Sequence, residues 1–366
     1  MALRVVIAGG GTGGHLYPGI AVARELLARQ PDAEISFAGT AKGIESRVIP
    51  REGFALDLIR SGGLKGKSIA DRARGAMLLP VSLGDAWSVV SARQPDLVIG
   101  VGGYSSGPVV LMAALRGTTT MLLEQNAVPG LTNRLLARVV KAAAVTFDST
   151  QAFFGSKAFV SGNPVRPEFL AAAGPRQESA LDDQATVTQV LVFGGSQGAH
   201  AINMAMVEAA ARLATGGPHL RVTHQTGERD VDMVRAAYRQ AGLQADVEPF
   251  LYDMGRQLGA ADLIVCRAGA TTLAELTAAG KPAILVPLPT ATDDHQRKNA
   301  DALAATGGAE VLLQSELSGT SLAERILALA ADRPRRREIA AAARALARPD
   351  AAKVIVDKAL QLAGRR

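Results

Sequence analysis

The chain has 366 residues, of which 48% are hydrophobic and 20% charged, and it carries a net charge of +6. This length and apolar content exclude an intrinsically disordered chain and suffice for two α/β domains, each with its own core. The net positive charge is equally compatible with binding to nucleic acid, to an anionic membrane surface or to a phosphorylated substrate. Only 4% of the residues are aromatic, and none of them interleave with a basic stretch. This pattern disfavours single-stranded nucleic acid, so no nucleic-acid partner is expected.

The chain opens on an apolar β-branched run over residues 4–8, followed by a glycine-rich turn over residues 9–14 (the first glycine turn) and a helical pattern with Pro18 in its first turn. We predict further strands in this half over residues 34–38, 56–59, 97–101, 120–123, 144–146 and 158–160. Strands that alternate with helices predict a parallel sheet covered on both faces. The carboxyl edge of such a sheet is where ligands bind.

The first glycine turn spells Gly9-x-Gly11-x-x-Gly14 and is followed by His15. The spacing matches the dinucleotide-binding fingerprint, which also requires an acidic residue at the end of the second strand. That strand ends in Gly39-Thr40, without a carboxylate. A nicotinamide-dependent oxidoreductase is therefore disfavoured. His15 is a candidate general base or sugar-contacting group, and the alternative is a histidine that simply packs at a helix N-terminus.

Two further polar stretches follow strands of the first half. Another glycine-rich turn, over residues 100–107 and containing Tyr104, is expected to lie beside the first glycine turn. Glu124-Gln125-Asn126 follows the next strand and is expected at the same edge, although a solvated loop is the alternative. The uncharged run over residues 97–115 is long enough to span a membrane, but its glycines and Pro108 favour a strand, a glycine loop and a helix.

The second half repeats the strand, glycine turn and helix arrangement. Strands are predicted over residues 190–193, 221–225, 246–249, 263–265, 283–286 and 310–313, and a mid-chain glycine turn occupies residues 194–200. The fold class is therefore α/β, with two Rossmann-like domains. The prolines near residue 163 and the polar stretch after residue 174 predict domains over residues 1–163 and 164–345. A C-terminal helix over residues 346–366 could pack on either of them.

The predicted strand over residues 263–265, followed by Cys266, leads into another glycine turn and helix start, over residues 267–275. Thr271 and Thr272, with free amides at a helix start, suit a phosphate group. Glu275 could accept both hydroxyls of a ribose, and the alternative is a carboxylate that only stabilises the helix dipole. Cys266 itself is predicted to be a buried core thiol, which fits a reducing compartment. No metal-ligand spacing is found, so no metal site is predicted.

A different pattern precedes and includes the only tryptophan. Basic residues, among them Arg72 and Arg74, are followed by Leu78, Leu79 and then Trp87. A basic segment beside an apolar helical face suits the surface of an anionic bilayer, and an ordinary core-facing helix is the alternative. The N-terminus starts directly with a strand, so no signal peptide is expected. A cytoplasmic protein without a transmembrane helix is predicted.

Seven motifs occur in one order along the chain: GGGTGGH, GVGGYSSGP, EQNAVPGLTN, GNPVR, GGSQGAH, CRAGATTLAEL and DDHQRKNA. Together they resemble the MurG family of bacterial N-acetylglucosaminyltransferases over essentially the whole chain. The resemblance implies the GT-B fold, with two Rossmann-like domains facing across a cleft. It implies inverting transfer of GlcNAc from UDP-GlcNAc to the C4 hydroxyl of lipid I, which makes lipid II, without a cofactor or an obligatory divalent cation.

The resemblance also implies different roles for the two domains. The first domain would associate with the acceptor and the membrane, and the second would bind UDP-GlcNAc. The implied binding residues for UDP-GlcNAc are Thr12, Gly13, Gly14, Asn126, Arg166, Ser196, Leu251, Ala270, Thr271, Thr272, Leu273, Ala274, Glu275 and Gln296. In this assignment Leu251 would hold the uracil through its backbone, Glu275 the ribose, and Gln296 and Asn126 the sugar.

His15 is the candidate catalytic base and Glu124 is the reserve. The implied location is the cytoplasmic face of the inner membrane, where Leu78, Leu79, Trp87, Arg72 and Arg74 would contact the anionic surface. Other cell-wall synthesis and division proteins are the implied partners. Three other interpretations remain: a GT-B enzyme with another acceptor or a UDP-GlcNAc 2-epimerase, an oxidoreductase, and a non-catalytic membrane scaffold.

Overall fold

The computed structural model describes residues 2–62, 78–171, 187–195 and 198–365. The chain divides into two compact units: Met1–Val165 with Arg348–Arg366 (the N-terminal unit), and Arg166–Ala347 (the C-terminal unit). The first boundary follows Val165 rather than residue 163, and the second follows Ala347 rather than residue 345. Residues 161–164 are buried, and the backbone N–H of Ser161 donates to the carbonyl of Val145, so the chain stays with the N-terminal unit up to this point.

The described part of the N-terminal unit is a parallel sheet with helices on both faces. Its strands are β1 (Arg4–Gly9), β2 (Glu34–Gly39), β3 (Ala55–Leu58), β4 (Leu97–Gly102), β5 (Thr119–Glu124), β6 (Ala142–Val145) and β7 (Ala158–Val160). Its helices are α1 (Gly13–Arg29), α2 (Glu45–Arg51), α3 (Leu79–Arg93), α4 (Ser106–Leu115), α5 (Leu131–Leu136), α6 (Asp148–Phe154) and, at the end of the chain, α15 (Ala351–Leu362). The strand order is β3-β2-β1-β4-β5-β6-β7.

The described part of the C-terminal unit repeats this plan. Its strands are β8 (Val187–Phe193), β9 (His219–Gln225), β10 (Ala245–Glu248), β11 (Leu263–Cys266), β12 (Ala283–Leu285) and β13 (Glu310–Val311), in the order β10-β9-β8-β11-β12-β13. Its helices are α7 (Pro167–Ala171), α8 (His200–Thr215), α9 (Val231–Ala241), α10 (Met254–Ala260), α11 (Ala270–Ala279), α12 (His295–Ala304), α13 (Gly319–Ala331) and α14 (Arg333–Ala345).

Strand β1 illustrates how the apolar runs of the sequence form strands whose two faces are both buried. Val5 and Ile7 belong to one apolar layer of the N-terminal unit, and Val6 and Ala8 belong to the layer on the opposite face of the sheet. β1 pairs with β2 on one side and with β4 on the other, so the strand order reverses beside β1. The loops that leave β1 and β4 therefore flank the point where open α/β sheets bind ligands. β8 and β11 are neighbours in the same way in the C-terminal unit.

Every predicted strand is present, with its ends shifted by a few residues. The run over residues 97–115 forms β4, a glycine turn and α4, which confirms the predicted strand, glycine loop and helix. Cys266 is fully buried, as predicted. The last helix packs in the N-terminal unit through Ile355 and Val356, and Asp357 forms an ion pair with Arg29 of α1. Across the described residues, no helix has the length and apolar character needed to cross a membrane.

Candidate active site

The first glycine turn and the turn after β4 touch through their backbones. Gly11, Gly102 and Gly103 have φ values of +84°, +90° and +83°, a region that favours glycine. A Cβ atom on Gly103 would lie 2.5 Å from the carbonyl oxygen of Gly10, so no side chain fits there. The N–H of Gly10 also points to the carbonyl oxygen of Gly102, at 3.4 Å. The expectation that the two turns lie side by side is confirmed.

His15 lies in the first turn of α1 and is half-buried. Its Nδ1 atom is 3.2 Å from the hydroxyl oxygen of Thr12, and its ring lies against the backbone of Gly102. When Nδ1 carries the ring proton and donates it to Thr12, the lone pair of Nε2 is available to accept a proton. Thr12 thus orients the candidate base. Gly13 and Gly14 form the N-terminus of α1 beside it.

Glu45, which the sequence analysis did not single out, supports the first glycine turn. Its side chain is 1% exposed. One carboxylate oxygen accepts the backbone N–H of Gly11 at 2.8 Å, and the other accepts the N–H and the hydroxyl of Thr40, both at 2.9 Å. A Cβ atom on Gly10 would lie 2.5 Å from the carboxyl carbon. The only feature of the sequence that could have indicated this role of Glu45 is its position shortly after β2, the strand that lacks the terminal carboxylate of the dinucleotide-binding fingerprint.

Glu124 ends β5 and is 2% exposed. Its Oε1 atom accepts the backbone N–H and the side-chain amide of Asn126 at 3.1 and 3.2 Å. Its Oε2 atom accepts the N–H of Gly130 at 3.0 Å and the amide of Asn133 at 2.8 Å. Burial raises the pKa of the Glu124 carboxyl, and these hydrogen bonds oppose that rise. The geometry favours a role in holding Asn126 over the reserve role of catalytic base.

In the C-terminal unit, Gln225 links two candidate binding segments. Its side chain is 2% exposed at the carboxyl end of β9. The amide nitrogen donates to the carbonyl of Gly195 at 2.7 Å, and the amide oxygen accepts the backbone N–H of Leu251 at 3.1 Å. Leu251, the residue expected to hold uracil, is therefore tied to the mid-chain glycine turn. Ser196 lies outside the described residues.

Helix α11 presents the longest continuous candidate segment. Gly269, in an extended conformation, precedes its first residue. Ala270 and Leu273 are buried in the packing of the unit, whereas Thr271, Thr272 and Ala274 are half-buried. The implied binding segment thus consists of a helix N-terminus in which the threonines are the more accessible residues. Such an N-terminus favours an anion because its N–H groups and dipole point towards it.

Glu275 lies one turn into α11 and is 6% exposed. The guanidinium of Arg166 donates to its Oε1 atom at 3.0 Å. Burial raises the pKa of the Glu275 carboxyl to about 7, and Arg166 opposes the rise. The structure thus brings together two predicted binding residues that are 109 positions apart.

Gln296, in the first turn of α12, is fixed by the loop that follows β12. Its side-chain oxygen accepts the backbone N–H of Leu288 at 3.0 Å. The Arg267 guanidinium donates to the carbonyls of Val286 and Pro287 at 3.1 and 3.2 Å, which holds the preceding part of that loop. Arg267 is buried and was not predicted to have this role. Within the described parts of the chain, no group of three or more His, Cys, Asp or Glu residues could hold a metal ion.

The predicted membrane face is carried by α3. Its buried residues Ser82, Ala86 and Val90 face the core, so the core-facing interpretation holds for one side of the helix. Leu79, the first residue of the helix, is 41% exposed, and Trp87 is 53% exposed. Leu78 is half-buried, and the guanidinium of Arg116 lies 4.7 Å from the centre of the Trp87 ring. Arg72 and Arg74 lie outside the described residues.

Comparison with known proteins gives the family. The description "Glycosyltransferase family 28 N-terminal domain" matches residues 5–145, and "Glycosyltransferase family 28 C-terminal domain" matches residues 189–355. The UDP-N-acetylglucosamine–N-acetylmuramyl-(pentapeptide) pyrophosphoryl-undecaprenol N-acetylglucosamine transferase of Anaeromyxobacter sp. (strain K) is 47% identical over 100% of this chain and 94% of its own.

Two solved structures extend the comparison. Acinetobacter baumannii MurG superposes with a TM-score of 0.80 at 32% identity, over 98% of this chain and 99% of its own. The UDP-GlcNAc 2-epimerase of Neisseria meningitidis superposes with a TM-score of 0.69 at 14% identity, over 99% of this chain and 100% of its own, a likeness that concerns the fold alone. The chain belongs to the MurG family, the UDP-N-acetylglucosamine–N-acetylmuramyl-(pentapeptide) pyrophosphoryl-undecaprenol N-acetylglucosamine transferases of glycosyltransferase family 28.

Proposed function

We propose that this protein transfers GlcNAc from UDP-GlcNAc to the C4 hydroxyl of the MurNAc residue of lipid I, with inversion at the anomeric carbon, and so makes lipid II for peptidoglycan. The observation that carries the proposal is the 47% identity to a named transferase of this activity over the whole chain. The identity covers both units, so it includes every segment that the sequence analysis singled out. An epimerase shares only the fold.

In this proposal the C-terminal unit holds the donor. Glu275 accepts the ribose hydroxyls, the N-terminus of α11 with Thr271 and Thr272 receives the diphosphate, and Leu251 contacts the uracil. Gln296 and Asn126 contact the sugar. The support is chemical: a buried carboxylate suits a diol, and a helix start with hydroxyl side chains suits phosphate.

Inversion requires one displacement at the anomeric carbon. The acceptor C4 oxygen forms the new bond to that carbon, its proton passes to Nε2 of His15, and the bond to the β-phosphate oxygen breaks with its electron pair leaving on UDP. The orientation of the His15 ring by Thr12 supports its role as the base. Negative charge develops on the departing diphosphate. Helix N-termini can stabilise that charge, so the proposed mechanism does not require a divalent cation.

We also propose that the enzyme binds peripherally to the cytoplasmic face of the inner membrane through the exposed side of α3. Leu79 and Trp87 are exposed there, and Arg116 supplies a positive charge beside the indole. Burying such an apolar side chain contributes about 1.5–3 kcal/mol, and each nearby cation adds about 1 kcal/mol on an anionic surface. The sum suffices for reversible binding. Other cell-wall synthesis and division proteins are proposed as partners.

The test is incubation of the purified protein with UDP-GlcNAc and a lipid I analogue, with and without EDTA. Product is identified by mass, and UDP-ManNAc is measured in the same samples. We expect a disaccharide-lipid product in both arms. Product that disappears with EDTA would contradict the metal-free mechanism. UDP-ManNAc without a disaccharide-lipid product would contradict the transferase assignment and favour the epimerase.

A further inference from the structure

Arg166, the first residue of the C-terminal unit, has a guanidinium that is held by neighbouring side chains. Its Nη2 atom donates to Oε1 of Glu275 at 3.0 Å, its Nη1 atom forms an ion pair with Oε1 of Glu168 at 3.3 Å, and its central carbon lies 4.5 Å from the centre of the Phe169 ring. Phe169 is fully buried, so the ring cannot move aside. A planar cation stacked on a fixed ring loses little further freedom when it pairs with a carboxylate.

The partner carboxylate is in an unfavourable place for a charge. Glu275 is 6% exposed, and burial is the largest cause of its raised pKa. Among the described residues, two other ionisable groups interact with it: the Glu168 carboxylate raises its pKa further, and the buried Cys266 thiol lies close enough for Glu275 to raise the thiol's pKa in turn. Among these groups, Arg166 alone favours the charged form of Glu275.

We propose that Arg166 is a positioning residue that acts through Glu275: it holds the buried carboxylate in a fixed orientation and favours its charged form, so that the carboxylate can accept the hydroxyl groups of a ribose. This inference rests on the proposed function, in which the bound nucleotide is a UDP-sugar. A charged acceptor forms stronger hydrogen bonds with hydroxyls than a neutral carboxyl does. Arg166 therefore contributes to ribose recognition even without touching the nucleotide.

The competing role for Arg166 is direct contact with the diphosphate, and nucleotide analogues separate the two. Dissociation constants for UDP and 2′-deoxy-UDP are measured by calorimetry for the unmodified protein and for Arg166→Gln, Arg166→Lys and Glu275→Gln. We expect the unmodified protein to prefer UDP by about tenfold or more, as for a hydrogen bond to a charged group. Arg166→Gln and Glu275→Gln should bind the two nucleotides almost equally, and Arg166→Lys should retain part of the preference.

Arg212→Gln is the matched control, because Arg212 is an exposed arginine of the same unit whose ion pair with Glu324 is also exposed. It should leave the preference for UDP intact. If Arg166→Gln weakens binding of both nucleotides by the same factor, so that the preference is unchanged, the inference is overturned and the direct diphosphate contact is favoured. If the unmodified protein binds neither nucleotide, both the proposed function and the inference fail. That outcome is distinguishable from binding with an unchanged preference for UDP in Arg166→Gln, which overturns the inference alone.

A pH titration provides a measurement that does not depend on the Arg166→Gln variant folding. The ratio of the two affinities cancels the titration of the nucleotide phosphates, which are the same in both ligands. In the unmodified protein the ratio should rise between about pH 6 and about pH 8.5, as Glu275 loses its proton. Arg166→Lys, with a weaker hold on the carboxylate, should shift this rise to higher pH. A ratio that is independent of pH in both proteins would overturn the inference.

Discussion

The carboxylate of Glu45 accepts the backbone N–H of Gly11 at 2.8 Å, inside the first glycine turn. In a dinucleotide-binding domain the N–H groups of the corresponding turn face a bound pyrophosphate. Here a buried side chain occupies one of them, and its second oxygen ties the turn to Thr40 at the end of β2. The turn that leads to Thr12 and His15 is thus held in shape by the protein itself.

Glu45→Gln is expected to lower both stability and turnover. The amide can satisfy only part of the three hydrogen bonds to Gly11 and Thr40, and a buried donor without a partner costs about 1–3 kcal/mol. Urea unfolding should show a loss of this size, and kcat/KM should fall because the turn positions His15. Glu34→Gln is the control, since Glu34 is exposed on the neighbouring strand. Equal behaviour of the two variants would refute the supporting role of Glu45.

His15→Ala should reduce kcat by roughly 10²–10⁴-fold, the contribution typical of a general base. The dissociation constant for UDP-GlcNAc should change little, because His15 is not among the proposed contacts of UDP-GlcNAc. Steady-state kinetics and calorimetry measure the two quantities separately. His219→Ala, at an exposed position, serves as the control. An unchanged kcat in His15→Ala rules this residue out as the base.

Glu124→Gln should act on structure and not on proton transfer. The four hydrogen bonds that Glu124 accepts hold Asn126 and the following loop, and the amide can accept only about half of them. We expect a lower unfolding free energy and a higher KM for UDP-GlcNAc, with the pH dependence of kcat unchanged. If kcat instead falls at least 10²-fold while the unfolding free energy stays constant, Glu124 is the base.

The double substitution Leu79→Glu with Trp87→Glu should abolish co-sedimentation with vesicles that contain anionic lipid. Both side chains are exposed on α3, so the change removes apolar area and adds negative charge without disturbing the core. Leu346→Glu with Met233→Glu is the matched control, because both residues are exposed apolar positions of the C-terminal unit. Retained sedimentation of the α3 variant would show that this helix does not contact the membrane.

Stability should depend on pH through His224. Its buried ring lies 2.8 Å from the Tyr238 hydroxyl and 3.1 Å from the side-chain oxygen of Asn203. Burial lowers the pKa of His224 to about 3, although Asp230 opposes the shift. Because the unfolded state takes up this proton near pH 6.5, the stabilisation is complete above that pH and is lost as the pH falls towards about 3, by at most about 1.4 kcal/mol per pH unit.

Urea unfolding between about pH 7 and about pH 4 measures this dependence. His224→Gln can keep the donor to Asn203 but has no titrating ring, so its unfolding free energy should fall less steeply with decreasing pH. Identical slopes for the two proteins would contradict the assignment of a neutral buried imidazole.

The alternation of strands and helices, and the glycine turns that follow β1, β4 and β8, could be predicted because apolar periodicity and glycine spacing are local properties of the sequence. The pairing of Arg166 with Glu275 could not, since it depends on where α11 lies relative to residues 109 positions earlier. Glu45 and Gln225 escaped prediction for a similar reason. A carboxylate or an amide near a strand end is usually solvated, and only the fold reveals which backbone groups surround it.

Transfer of radiolabelled GlcNAc from UDP-GlcNAc decides whether lipid I is the acceptor, when a lipid I analogue is compared with the same analogue lacking the C4 hydroxyl of MurNAc. We expect label in the lipid product with the first acceptor and none with the second. Equal labelling of both acceptors, or no labelling of either while UDP-GlcNAc still binds, would contradict transfer to the C4 hydroxyl of lipid I.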